Sequence, residues 1–177
     1  NWTSVEEALA IATLEKIRRC HRQGKNVPHA VFEAHVGSKL NVSFEGVPVR
    51  KKDDTAEVYI IERPSREQAP HEPYPGMLHT PGVTLLVDET MQAALKRLIQ
   101  REFGGVEPER VIPVTDDLES ADPPRPLYQQ RVRLLLMPQP LQPRNPHGQW
   151  FVADRIPWGQ LVPSHRTLVP MALRKFK

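Results

Sequence analysis

Apolar residues recur at Ala8, Ala10, Ile11, Leu14 and Ile17, behind the segment Thr3-Ser4-Val5-Glu6-Glu7 with its early carboxylates. That spacing predicts one amphipathic helix running to about His21 and stopped by Gly24. Ala30 to Val36 reads as a first strand, and Leu40 to Val49 as a second with a bend at Gly46. Lys51-Lys52-Asp53-Asp54 marks a turn, Glu57 to Glu62 a buried strand, and Pro64 to Pro75 a loop. Ala93, Ala94, Leu95, Leu98 and Ile99 give a helical stripe, which predicts a helix from Glu89 or Thr90 to Phe103 with Gly104 as its left-handed cap. Three further strands are expected at Val111 to Val114, Arg131 to Met137 and Gln149 to Val152, and a last helix between Ser164 and Phe176 around Pro170. Helix, strands, central helix, strands, helix is the order of an α/β or α+β sandwich.

The bulk numbers fit that picture. With 177 residues, 39% hydrophobic and 25% charged, the chain is sized as one domain with a real core. Its 19 prolines cluster after Arg63, around Asp122 to Pro126 and from Pro138 to Pro146, which predicts long loops there. A net charge of +3 suits an anionic ligand but is too small to mark a dedicated nucleic-acid binder. The single cysteine, Cys20, excludes an internal disulfide framework and a cysteine-rich zinc site. No apolar run reaches the roughly 20 residues of a membrane span, and no secretory signal is visible, so a cytoplasmic protein is expected. The chain starts at Asn1 without a methionine, which leaves room for upstream sequence.

Chemistry concentrates between Pro81 and Gly104. Pro81-Gly82-Val83, then Glu89, Arg97, Ile99, Glu102 and Gly104, resemble the Nudix box, G-x5-E-x7-R-E-U-x-E-E-x-G-U with U aliphatic. Val83 stands for the first glycine, Leu98 and Arg101 for two glutamates, and Gly105 for the last aliphatic residue. The surroundings are similar as well: Ile60-Ile61-Glu62-Arg63 before the box, then Trp150-Phe151-Val152, Ile156-Pro157 and Leu161-Val162 after it. The resemblance covers roughly residues 30 to 172. It implies a Nudix-type α/β/α sandwich with a mixed central sheet, forming one domain over 1–177 with an N-terminal helix in 1–24 and the Nudix core in 30–172.

Positions 98, 101 and 102 share one helix face by their spacing. Three carboxylates there would offer magnesium a hard oxygen site that clamps a pyrophosphate. This chain supplies Glu102 alone, beside Leu98 and Arg101, and Arg101 or Lys96 could pair with it as a salt bridge instead. One branch, the GDP-mannose mannosyl hydrolases, looks similar in its Arg-Leu-x-x-x-Glu-x-Gly box, which Arg97 to Gly104 matches. That branch carries an arginine where this chain has Thr84.

The resemblance implies magnesium (or manganese) at Glu102 and water activation by His147, the histidine before Trp150. It assigns bracing roles to Gly82, Glu89, Arg97 and Gly104. Arg63, Arg101 and Tyr74 are candidates for contact with a nucleoside-diphosphate-type substrate, and Arg66, His79 and Trp150 are weaker ones. For each the plain alternative is a solvated loop residue or ordinary packing. Two functions stay open: a hydrolase of a nucleoside-diphosphate-linked substrate, or an inactive Nudix-fold module that binds nucleotide, RNA or a protein. Either is compatible with a homodimer.

Overall fold

The computed structural model describes residues 2–28, 30–31, 34, 41–86, 88–120 and 128–176. Contacts divide the chain into two compact units, one drawn from Asn1–Lys39 and Leu86–Glu89, the other from Leu40–Leu85 and Thr90–Lys177.

In the first unit, α1 spans Ser4–Arg22. Thr3 and Glu6 form a reciprocal capping box, so two N-terminal N–H groups that lack helical partners are satisfied. Asp88, at a left-handed φ of 64°, receives hydrogen bonds from Arg22 and Arg18, which hold its carboxyl below the usual range. Ala30, Val31 and Ala34 are helical, not extended as the sequence suggested. The rest of that expected strand lies outside the described residues. A short apolar run does not separate helix from strand by periodicity, and Pro28, whose carbonyl accepts from Val31 N–H at 3.0 Å, suits a first helical turn.

The second unit is built on a seven-stranded mixed sheet. Its strands are β1 (Asn41–Lys52), β2 (Thr55–Glu62), β3 (Leu78–His79), β4 (Gly82–Thr84), β5 (Arg110–Ser120), β6 (Tyr128–Leu136) and β7 (Gly148–Val152). The path runs β3-β2-β1-β6-β5, with β4 also paired to β1 and β7 to β2. Among the described strands β1 and β6 run parallel, from Asn41 opposite Tyr128 to Val49 opposite Leu136, and the other strand pairs are antiparallel. β1 is longer than the sequence suggested and passes straight through Gly46, and the turn shrinks to Asp53-Asp54 because Lys52 pairs with Thr55. The two-residue strand β3 gave no periodic signal, and β5 extends past Val114 through register shifts.

Alternation along the strands makes two cores. On one face Val47, Val49, Val58, Ile60, Val132 and Leu134 pack with Leu168, Val169 and Ala172 of helix α3 (His165–Leu173), which continues through Pro170. On the other face Phe44, Tyr59, Ile61 and Leu135 pack with Ala94, Leu98, Ile99 and Phe103 of helix α2 (Met91–Phe103). The unit is therefore an α/β/α sandwich. Helix α2 starts one residue after its N-cap Thr90, whose side chain accepts from Ala93 N–H, and Gly104 ends it at φ 63°. No helix among the described residues is long and apolar enough to cross a membrane.

Candidate functional site

Helix α2 and the strand before it carry the box residues. Arg97 donates to the Thr84 carbonyl at 3.0 Å, tying the helix to the end of β4. Glu89 accepts from Leu86 N–H at 2.9 Å and so braces the turn ahead of the helix. Gly82 lies opposite Glu45 in the β1–β4 ladder. A Cβ at Gly82 would collide with the Glu45 carboxylate, which is itself buried. A larger residue there would oblige the Glu45 side chain to shift.

The helix face expected to hold a cation is split three ways. Leu98 is fully buried in the core, Glu102 is 1% exposed, and about half of the Arg101 side chain (49%) faces solvent. A carboxylate buried this deeply needs partners for both oxygens. Oε1 of Glu102 accepts from Arg101 Nε at 2.5 Å, and Oε2 accepts from Asn145 Nδ2 at 2.9 Å. The same guanidinium donates through its Nη2 to the Gly82 carbonyl at 3.0 Å. Arg101 therefore bridges the box carboxylate and the backbone carbonyl at the head of the box.

A divalent ion requires several oxygen ligands. Here both Glu102 oxygens and the Gly82 carbonyl already accept from N–H donors. Among the described residues no group of three or more His, Cys, Asp or Glu is placed to hold a metal. In this arrangement the residues do not fit magnesium.

Asn145 comes from the proline-rich loop that precedes β7, and it also fixes that loop: its Oδ1 accepts from His147 N–H at 3.0 Å. The His147 carbonyl in turn accepts from Glu62 N–H at 3.0 Å. His147 is exposed, two positions from a residue that touches Glu102. Beneath α2, Tyr59 is fully buried against Phe103 and Trp150. Burial first, and then the negative charge of Glu102, push its hydroxyl well above the ordinary tyrosine range, with Arg101 opposing.

The other candidates lie differently. Arg63 makes a two-bond ion pair with Glu72, Nε to Oε1 at 2.5 Å and Nη2 to Oε2 at 2.9 Å, which braces the loop after β2. Tyr74 is buried, and its N–H donates to the same Glu72 carboxylate. Trp150 has Arg50 stacked over its ring at 4.2 Å. His79 meets His165 edge to face, and Arg66 is exposed.

Sequence reasoning missed Asn145, Glu45 and Glu72. A glutamate inside the apolar run of β1 was a usable signal for Glu45. Asn145, in a loop of prolines and polar residues, gave none.

No protein-family model and no curated protein sequence matches the chain. Solved structures do. The NUDIX domain of Shewanella oneidensis NrtR, complexed with ADP ribose, superposes with a TM-score of 0.64 at 15% identity, covering 85% of this chain and 100% of that one. The C-terminal domain of mouse MUTYH, in complex with human PCNA, gives 0.60 at 16% identity over 78% and 90%. A MutT NUDIX hydrolase from Burkholderia pseudomallei gives 0.58 at 20% identity over 75% and 98%. The chain has the Nudix fold.

Proposed function

We propose that this chain is a Nudix-fold binding domain for a nucleoside-diphosphate-type ligand, acting without divalent-ion catalysis. The observation that carries the reading is the state of Glu102: the single carboxylate on the box face is buried and satisfied by Arg101 and Asn145. Recruiting that carboxylate for a metal means first displacing both donors that satisfy its oxygens. The contacts of Arg97 with Thr84, the close approach of Gly82 to Glu45 and the left-handed Gly104 support the box resemblance on the same side of the fold. ADP-ribose is a suitable first ligand, since it accompanies the NUDIX domain of NrtR.

The test is calorimetric titration with ADP-ribose in EDTA and in magnesium, with chromatography of the mixture for cleavage products. The expected result is binding in both buffers and intact ligand. Turnover that needs magnesium or manganese and disappears in Glu102→Gln would establish the second reading, a hydrolase of a nucleoside-diphosphate-linked substrate. The Arg-Leu-x-x-x-Glu-x-Gly spacing of Arg97 to Gly104 favours that reading, and His147 is its candidate base. His147→Gln would then lower turnover by roughly 10² to 10⁴.

A further inference from the structure

We infer that Arg101 is a resident cation on the box face of helix α2, standing in the place a divalent ion would need and offering its outer face to phosphate. This deepens the reading above and rests on it for the identity of the ligand. The guanidinium sits between two oxygen acceptors from distant parts of the chain, the Glu102 carboxylate and the Gly82 carbonyl. The Glu102 carboxylate is where the box resemblance puts magnesium. Cation and ion therefore compete for one set of acceptors, and the guanidinium is covalently present at all times.

Its inner edge is spent on these two bonds. The planar fork carries further N–H donors, and about half of the side chain is open to solvent. A guanidinium held this way on a fixed carboxylate has little orientational freedom left to lose, so a phosphate meets a pre-oriented donor pair. Glu102 cancels much of the charge, but the bond network sets direction as well as charge. The box position occupied by Arg101 is one where the family pattern has glutamate, so reversing that residue restores an acidic helix face.

The test has two arms. In the first, free manganese is followed by electron paramagnetic resonance during titration of the wild type, Arg101→Glu, and Arg101→Glu combined with Glu102→Gln. The wild type should bind manganese weakly, Arg101→Glu at least about tenfold more tightly, and the double variant weakly again. Arg101→Gln, which keeps a neutral polar side chain, serves should the charge reversal not fold, and it should also bind manganese more tightly than wild type. In the second arm, ADP-ribose affinity of the wild type should be the same in EDTA and in magnesium and fall about tenfold or more in Arg101→Gln.

Tight manganese binding by the wild type, lost in Glu102→Gln and unimproved by either Arg101 change, overturns the resident cation. Failure of ADP-ribose to bind while the manganese series behaves as stated supports the resident cation and overturns the ligand reading alone.

Discussion

The Tyr59 hydroxyl occupies the space into which Gly148 would project a side chain. A Cβ on Gly148 would overlap the phenol oxygen and the ring carbons beside it. The two strands β2 and β7 meet here, and the tyrosine fills the gap between them and helix α2. The same hydroxyl is buried with no hydrogen-bond partner among the described residues, so packing rather than polarity holds the ring in place.

Gly148→Ala should therefore destabilise the second unit through overpacking, by about 1–3 kcal/mol. Urea denaturation of the variant against wild type reads this directly. An unchanged midpoint would mean that the ring has room to move, contrary to its full burial between Phe103 and Trp150.

Tyr59→Phe should act in the opposite direction and change the response to alkali. Removing an unsatisfied buried hydroxyl gains about 1 kcal/mol at neutral pH. The folded-state pKa of Tyr59 lies above its ordinary value of 10.0. Below that value both states hold a neutral phenol. Above it the unfolded chain ionises first and binds fewer protons, so stability falls as pH rises. The advantage of Tyr59→Phe should grow between about pH 8 and about pH 11. A difference between the two proteins that stays constant over that range contradicts the assignment.

Asn145→Ala removes one of the two donors to Glu102 and frees the backbone turn at His147. A lost hydrogen bond to a buried ionised group costs about 2 kcal/mol. Asn145→Asp should cost more, because it sets a second carboxylate where an amide now donates at 2.9 Å. Thermal melts of both variants check the order. Equal stability of the two would show that the Asn145 side chain is not what satisfies Glu102.

Arg63→Ala should open the loop after β2. The Arg63–Glu72 pair is largely shielded, at 13% and 10% side-chain exposure, and Glu72 also anchors Tyr74 N–H. Removing the guanidinium from that largely shielded carboxylate should cost about 2 kcal/mol after allowance for its partial exposure. Limited proteolysis should then cut between residues 64 and 77 faster than in wild type. A variant that resists protease as well as wild type, yet loses ADP-ribose affinity, would return Arg63 to the ligand site.

Much of the sandwich was legible in the sequence because its signals are local. Thr90 and Gly104 bracket helix α2 by capping chemistry, and the stripe through Ala94, Leu98 and Ile99 shows which side enters the core. The continuous apolar run Val58 to Ile61 announces a strand with both faces buried. These patterns depend on residues within a turn or two of each other, so a linear reading recovers them. Ala30, Val31 and Ala34 failed that reading, because a short run rich in apolar side chains satisfies either period.

The site was decided in three dimensions. From the sequence, Arg101 was a salt-bridge partner for Glu102 and a candidate ligand contact, while its bond to Gly82, 19 positions upstream, follows from how β4 pairs with β1. Asn145 reaches Glu102 across 43 positions because β7 pairs with β2 and leads its loop to the end of α2. By itself the sequence determined that Glu102 is the only carboxylate on its helix face. Its neighbour Arg101 was a visible partner, but the second donor, Asn145, depends on strand register and loop path, where hydrogen-bond satisfaction of a buried carboxylate selects a partner that no local pattern brings near.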